Sequence, residues 1–129
     1  MSFQLSVVTP ERAVLECAAR SVVFPAHDGQ TGILTNRAPL LCQLGVGPLQ
    51  VDEEGGSSHV MVIDGGFAQM VENRLTILTE SATAASDVDR EAAQQALKDA
   101  MAREAHSETE HAARRRDIER ARTELKVSA

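Results

Sequence analysis

The sequence predicts an α+β protein: an N-terminal antiparallel β-sandwich or barrel over residues 1–85, then a C-terminal two-helix hairpin over residues 86–129. Two observations carry this. Short apolar or alternating runs rich in β-branched residues recur every ~8 to 12 residues up to about Thr83, the spacing of strands joined by turns. From Ser86 the composition turns to Ala, Glu, Arg and Gln with no Gly or Pro to the end, which is helix-forming material.

The strand-length pieces run in order. "FQLSVV" (3–8) precedes Thr9-Pro10, and "AVLEC" (13–17) and "SVVFPA" (21–26) lead into the loop "FPAHDGQTGILTNRAP" (24–39). "PLLCQL" (39–44) runs into Gly45 and Gly47-Pro48 and is followed by "LQV" (49–51). "HVMVI" (59–63), "GFAQMV" (66–71) and "RLTIL" (74–78) complete the set. Residues 52–58, "DEEGGSS", read as a solvated hairpin loop. Asp64-Gly65-Gly66 and Glu72-Asn73 read as tight turns, because Gly and Asn tolerate positive φ at little steric cost.

In the helical part, Ser86 or Asp87 is the expected cap of the first helix, with Glu91 in its first turn. Ala93, Leu97, Ala100 and Met101 recur at helical spacing. A polar break, "HSETE", places the second start near Ser107 to Thr109, and Ile118, Ala121 and Leu125 form its apolar stripe. The apolar stripe of the hairpin as a whole is mostly alanine, with Leu97, Met101, Ile118 and Leu125 as its sizeable members. With four sizeable anchors at roughly 1.5 to 3 kcal/mol each, docking of the hairpin is expected to be weak and reversible.

Charge is unevenly distributed. Residues 1–85 hold nine acids and four bases, net −5, whereas residues 86–129 hold ten acids and nine bases, net −1. The second helix concentrates Arg114, Arg115, Arg116, Arg120 and Arg122. Their plainest reading is a solvated face with i,i+4 pairs such as Glu110 to Arg114. The sharper reading is a contact for an acidic partner, since guanidinium groups pair bidentately with carboxylates.

Several function classes drop out. A net charge of −6 with 2% aromatic residues, all Phe, is the opposite of a nucleic-acid surface with stacking rings. The start "MSFQLSVVTP" lacks a signal-peptide pattern and no run approaches the ~20 apolar residues of a membrane span, so a soluble cytoplasmic chain without direct membrane insertion is expected. Cys17 and Cys42 read as two buried thiols acting as small hydrophobes. His27, His59, His106 and His111 form no ligand pair, and no GxSxG, GxxxxGK or GxGxxG occurs. Neither a metal nor a cofactor is predicted, and no catalytic residue. Glycines 29 and 32 form a GxxG without a following Lys or helix start, which fits a tight strand reversal better than a phosphate cradle.

The residues assembled so far resemble the epsilon subunit of F-type ATP synthases along almost the whole chain. The resemblance rests on "VVTPERAVLE" (7–16), "VVFPAHDGQTGILTNRAPLL" (22–41), "VIDGGFAQMVENRLTILTESA" (62–82) and the helical hairpin that follows. It implies an N-terminal β-sandwich with two C-terminal helices, and a non-catalytic role in the central rotor stalk. The sandwich would pack on the gamma subunit and sit on the c-subunit ring. The loop at 24–39 would then be a docking surface. Where the family has a Glu-Gly-Glu-like segment and a His before Ala-Pro, this chain has Asp28-Gly29-Gln30 and Arg37-Ala38-Pro39, which makes Asp28, Gln30 and Arg37 the docking candidates.

The resemblance further implies that the hairpin is a regulatory element. It would fold on the sandwich in one state and extend along gamma into the catalytic alpha/beta head in another, where Arg114, Arg115, Arg116, Arg120 and Arg122 meet acidic segments and block hydrolysis. Some members bind ATP through Asp-x-x-Arg at the start of the first helix. Here Asp89 fits the acid, but three residues on stands Ala92, and Arg90 is rotated away by roughly 200° relative to that position, so weak or absent ATP binding is expected. The implied location is peripheral, on the cytoplasmic face of the cell membrane, in a bacterial enzyme that moves protons or sodium ions. The alternative is a free-standing small-ligand-binding β-sandwich with an accessory hairpin, or a cupin-like enzyme, for which the strands supply only His59.

Overall fold

The computed structural model describes residues 2–29, 31–34 and 39–128. Seven strands come first: β1 (Phe3–Val8), β2 (Ala13–Pro25), β3 (Thr31–Leu34), β4 (Leu40–Glu53), β5 (Ser58–Val71), β6 (Arg74–Leu78) and β7 (Ala82–Ala84). A short 3-10 turn, Ala85–Asp87, leads to α1 (Arg90–Ala102) and α2 (Glu108–Val127). The expected order of β domain then helical hairpin is observed.

Hydrogen-bonded neighbours run β1-β6-β5-β4-β2-β3, and β1 also pairs with β2, so the sheet closes on itself as a barrel. Closure leaves the short strands β3 and β7, with one pairing each among the described residues, as the open edges. The pairings are antiparallel apart from one: β1 and β6 run parallel, from Gln4–Arg74 to Val8–Leu78.

Three long strands change or share neighbours along their length, β2 and β5 pairing with three strands each and β4 with two, and this is where the sequence reading divided them. β2 pairs with β1 up to Ala19 and with β4 from there, with a register shift between Ala19 and Ser21 that marks the change of partner. β4 runs unbroken through Gly47-Pro48, with Pro48 opposite Val62 and outside the β2 ladder, which ends at Val23–Gln50. Proline is tolerated at such a position because the ladder on that side makes no demand on its missing N–H. β5 runs unbroken through Asp64-Gly65-Gly66, so these residues are not the expected turn. Upstream of them β5 pairs with β7, and downstream with β6. The two glycines take φ +69° and +104°, and a Cβ at Gly66 would run into the Leu78 carbonyl. Glu72-Asn73 is the tight turn its composition predicts, at φ 48° and 66°.

Part of the 24–39 loop is strand: Thr31–Leu34 pairs back on Val22–Pro25. Gly29, at φ +88°, closes the reversal, donating its N–H to the Ala26 carbonyl at 3.0 Å.

Inside the barrel, Leu5, Val7, Val22, Leu49, Val51, Ile63, Met70, Leu75 and Ile77 are fully buried. Each such side chain contributes roughly 1.5 to 3 kcal/mol, so the barrel has a core of its own. Cys17 and Cys42 are free thiols packed against that core, half-buried rather than buried. Burial, with a hydrogen bond and the charge of Glu53, pushes the Cys17 thiol up to about 11.

The hairpin is a second unit. Its buried residues Ala93, Ala100, Ile118 and Ala121 lie outside the barrel's core cluster. α1 packs on α2, and α2 packs on β4 and β5. Met101, expected in the apolar stripe, is 52% exposed. Asp89, not Ser86 or Asp87, caps α1: its Oδ1 accepts the Ala92 N–H at 3.1 Å, because the 3-10 turn occupies the earlier positions. Ser107 caps α2 in the same way through the Glu110 N–H. Among the described residues, no helix is long and apolar enough to cross a membrane, and no cluster suited to a metal is found.

Candidate functional site

The second helix's arginines sort by what they touch. Arg114 turns inward along the hairpin and donates to the Arg103 and Met101 carbonyls at 3.1 and 3.0 Å. These are orphan acceptors at the end of α1, and a cation there satisfies both the hydrogen bonds and the helix dipole. The expected Glu110–Arg114 pair does not form, since the Glu110 carboxylate accepts the His106 N–H instead.

Arg116 and Arg120 turn toward the barrel. One turn apart on α2, they close on one carboxylate: Arg116 Nε lies 2.6 Å from Asp64 Oδ1 and Arg120 Nη1 lies 2.8 Å from Asp64 Oδ2. The Asp64 side chain is 6% exposed, while the arginines keep 50% and 40% of theirs in water. A carboxylate that dry needs cationic hydrogen-bond donors, or its burial costs several kcal/mol. Asp64 is held from behind as well: its N–H donates to Thr79 Oγ1 at 3.2 Å and to the Ser81 carbonyl at 3.3 Å. Asp117 extends the network, accepting from Arg120 at 3.1 Å and from Arg103 of the α1–α2 connection at 2.7 Å.

Arg115 makes no ion pair among the described residues, and Arg122 reaches only Glu119, at 3.9 Å on the exposed face. The five arginines therefore do not form one uniform contact group in this conformation. Arg115 and Arg122 face water, and Arg114, Arg116 and Arg120 are engaged within the chain.

An open cleft beside the clamp is lined by Ala26, His27 and Gly29 of the β2–β3 connection, by Gly65 and Gly66, and by Arg115, Arg116 and Glu119. The connection thus forms a wall facing the hairpin. Asp64, Glu80 and Glu119 share the lining with two arginines, which gives mixed charge and not a phosphate cradle. Of the docking candidates, Asp28 lies exposed on this connection, and Gln30 and Arg37 lie outside the described residues. Asp89 is occupied as the cap of α1, and no arginine stands beside it at position 92.

On the outer face of the barrel, Leu41, Phe67, Val71 and Leu78 are each about half exposed or more, and Phe67 and Leu78 are direct cross-strand neighbours. Exposed apolar residues gathered on one sheet face mark a contact surface for another protein.

Sequence reasoning missed Asp64. The signal was present in "HVMVIDGGFAQMV": a single carboxylate inside an apolar strand must be neutralised by a cation supplied from elsewhere in the fold.

Comparison with known proteins is consistent over the whole chain. A family model described as ATP synthase, Delta/Epsilon chain, beta-sandwich domain matches residues 2–85. The chain is 37% identical over 131 residues to an ATP synthase epsilon chain of Anaeromyxobacter, covering 99% of this chain and 98% of that one. It is 41% identical over 95 residues to the epsilon chain of Nitratidesulfovibrio vulgaris, covering 74% and 70%. Its fold is similar to that of a chain in the cryo-EM structure of the Euglena gracilis mitochondrial ATP synthase, OSCP/F1/c-ring, with a TM-score of 0.82 at 22% identity, covering 95% of this chain and 78% of that one.

Proposed function

Since this chain belongs to the ATP synthase epsilon-chain family, we propose that it is a central-stalk subunit with no active site of its own, which docks through its barrel and restrains ATP hydrolysis through its hairpin. Its partners on this reading are the gamma subunit, the c-subunit ring and, through the hairpin, the catalytic alpha/beta head. It would work as a peripheral protein on the cytoplasmic face of the cell membrane, in an enzyme moving protons or sodium ions.

The observation that carries the reading is the division of the molecule into two units. The barrel has a complete core and an outer apolar face, Leu41, Phe67, Val71 and Leu78, available to a partner. The hairpin is held on it by α2, which packs on β4 and β5 and sets Arg116 and Arg120 on Asp64, and it carries the other arginines. A small docking energy lets a partner shift the hairpin between positions. Asp28, Gln30 and Arg37 are proposed for contact with gamma and the ring, and Arg114, Arg115, Arg116, Arg120 and Arg122 for contact with the head.

The test is binding to a gamma-containing catalytic head purified without this subunit, followed by isothermal titration. Saturable one-to-one binding, weakened at least tenfold by Phe67→Asp together with Leu78→Asp, is the expected result. Absence of binding by the wild-type chain would remove the reading.

A further inference from the structure

We propose that Asp64 is a built-in competitor of the hairpin's acidic partner: it occupies Arg116 and Arg120 in the docked conformation, so the arginine pair becomes available only when the clamp opens. This rests on the reading of the hairpin as the element that reaches the head, and it names how that reach is regulated.

The geometry supplies the competition. Arg116 and Arg120 each present a guanidinium nitrogen to one oxygen of the same carboxylate, at 2.6 and 2.8 Å. An acidic segment of another protein needs the same donors in the same forked arrangement, and both carboxylates cannot hold them at once. α2 also packs on β4 and β5, but the Asp64 pairs are the ion pairs that cross between the units among the described residues. The hairpin's internal ties run between its own helices: Arg114 to Met101 and Arg103, Arg103 to Asp117, and Arg90 to the Leu125 carbonyl and Ser128 Oγ. These survive when the hairpin leaves the barrel as a unit. The Asp64 contacts cross between the units and must break.

Burial gives the clamp its sign. Docked, Asp64 is nearly dry and depends on the two arginines. With the arginines gone the carboxylate gains by being uncovered, so loss of either partner drives release of the hairpin and leaves the barrel core intact. The two sides of the clamp then have opposite consequences. Losing Asp64 frees the arginines and strengthens engagement of an acidic partner. Losing the arginines also frees the hairpin but abolishes what the partner binds. A merely structural ion pair would weaken the protein equally from both sides.

The experiment uses the full chain with Cys17→Ala and Cys42→Ala, spin-labelled at Gly55→Cys in the exposed β4–β5 loop and at Glu108→Cys at the start of α2. Pulsed electron resonance reads the distance between labels, and fluorescence anisotropy reads binding of poly-L-glutamate. Titration of heads lacking their epsilon chain reads inhibition. Asp64→Asn is expected to raise the released-to-docked ratio at least about tenfold, bind poly-L-glutamate more tightly and inhibit at lower concentration. The double variant Arg116→Gln, Arg120→Gln is expected to show the same release with weaker binding and weaker inhibition. An unchanged distance distribution in the arginine variant, whose substitutions replace side chains that keep 50% and 40% of their surface in water, overturns the proposal even if Asp64→Asn fails to fold. Both variants shifting binding in the same direction overturns it too. If the wild type does not inhibit heads at all, the functional reading fails, while the distance and poly-L-glutamate measurements still decide the clamp.

Discussion

Arg116 and Asp64 lie 52 positions apart in the chain and 2.6 Å apart in the fold, joining α2 to β5 by the shortest ion pair in the described residues. Each depends on a different local cause. Arg116 sits one turn before Arg120 on a helix, which aims both at the same point. Asp64 sits where β5 exchanges β7 for β6 as its neighbour. The junction between the two units thus contains a paired ionic contact, whereas the barrel is built on a hydrophobic core cluster.

That exchange of neighbours depends on Gly66. Its φ of +104° and the nearby Leu78 carbonyl leave no room for a Cβ. Gly66→Ala should therefore destabilise the barrel by about 3 kcal/mol or more, since the strained backbone and the backbone clash act together. Gly55→Ala, in open space, should stay within about 0.5 kcal/mol of wild type. Urea unfolding of the two variants checks the contrast.

Asp89 and Ser107 each accept an N–H in the first turn of their helix. Replacing either by Ala should cost about 1 kcal/mol of helix stability. The loss should appear as reduced helical circular dichroism and earlier thermal fraying of the hairpin, with the barrel transition unmoved. Weak or absent nucleotide binding is expected of the wild type, and Asp89→Ala should leave it unchanged in a titration with labelled nucleotide, since the Asp89 carboxylate already serves the Ala92 N–H.

Cys17 offers a chemical probe of the barrel. Its thiol, pushed up to about 11 from 9.0 by burial and by Glu53, carries far less thiolate at pH 8 than an ordinary cysteine. Alkylation by iodoacetamide should be roughly a hundredfold slower in the folded chain than in urea. The sign for stability follows: the unfolded chain gives up this proton near pH 9 while the folded chain holds it to about 11, so this contribution is intact below pH 9 and lost as pH rises toward 11. Glu53→Gln should speed alkylation of the native state.

Much of this was legible in the sequence, and the rest was hidden for identifiable reasons. The β domain, the helical hairpin, the turn at Glu72-Asn73 and the start of α2 near Ser107 follow from local pattern and local chemistry. Strand lengths did not. Gly47-Pro48 and Asp64-Gly65-Gly66 have turn composition, yet both lie within strands, because tertiary pairing supplies neighbours that local propensity does not register. The parallel pairing of β1 with β6 depends on closing the barrel across most of the domain, which no local signal encodes. At the site, the arginines were legible as a group because they are adjacent in sequence. Their separation into Arg114 on the end of α1, Arg116 and Arg120 on Asp64, and Arg115 and Arg122 toward water depends on where the hairpin lies against the barrel.

The measurement that tests the account most directly is ATP hydrolysis by a catalytic head purified without this subunit, titrated with the full-length chain and with a chain ending at Ser86. The account predicts saturable binding by both, because the barrel has its own core, and inhibition by the full-length chain alone. Equal inhibition by the two chains would contradict it, since the arginine-bearing hairpin would then have no part in the restraint.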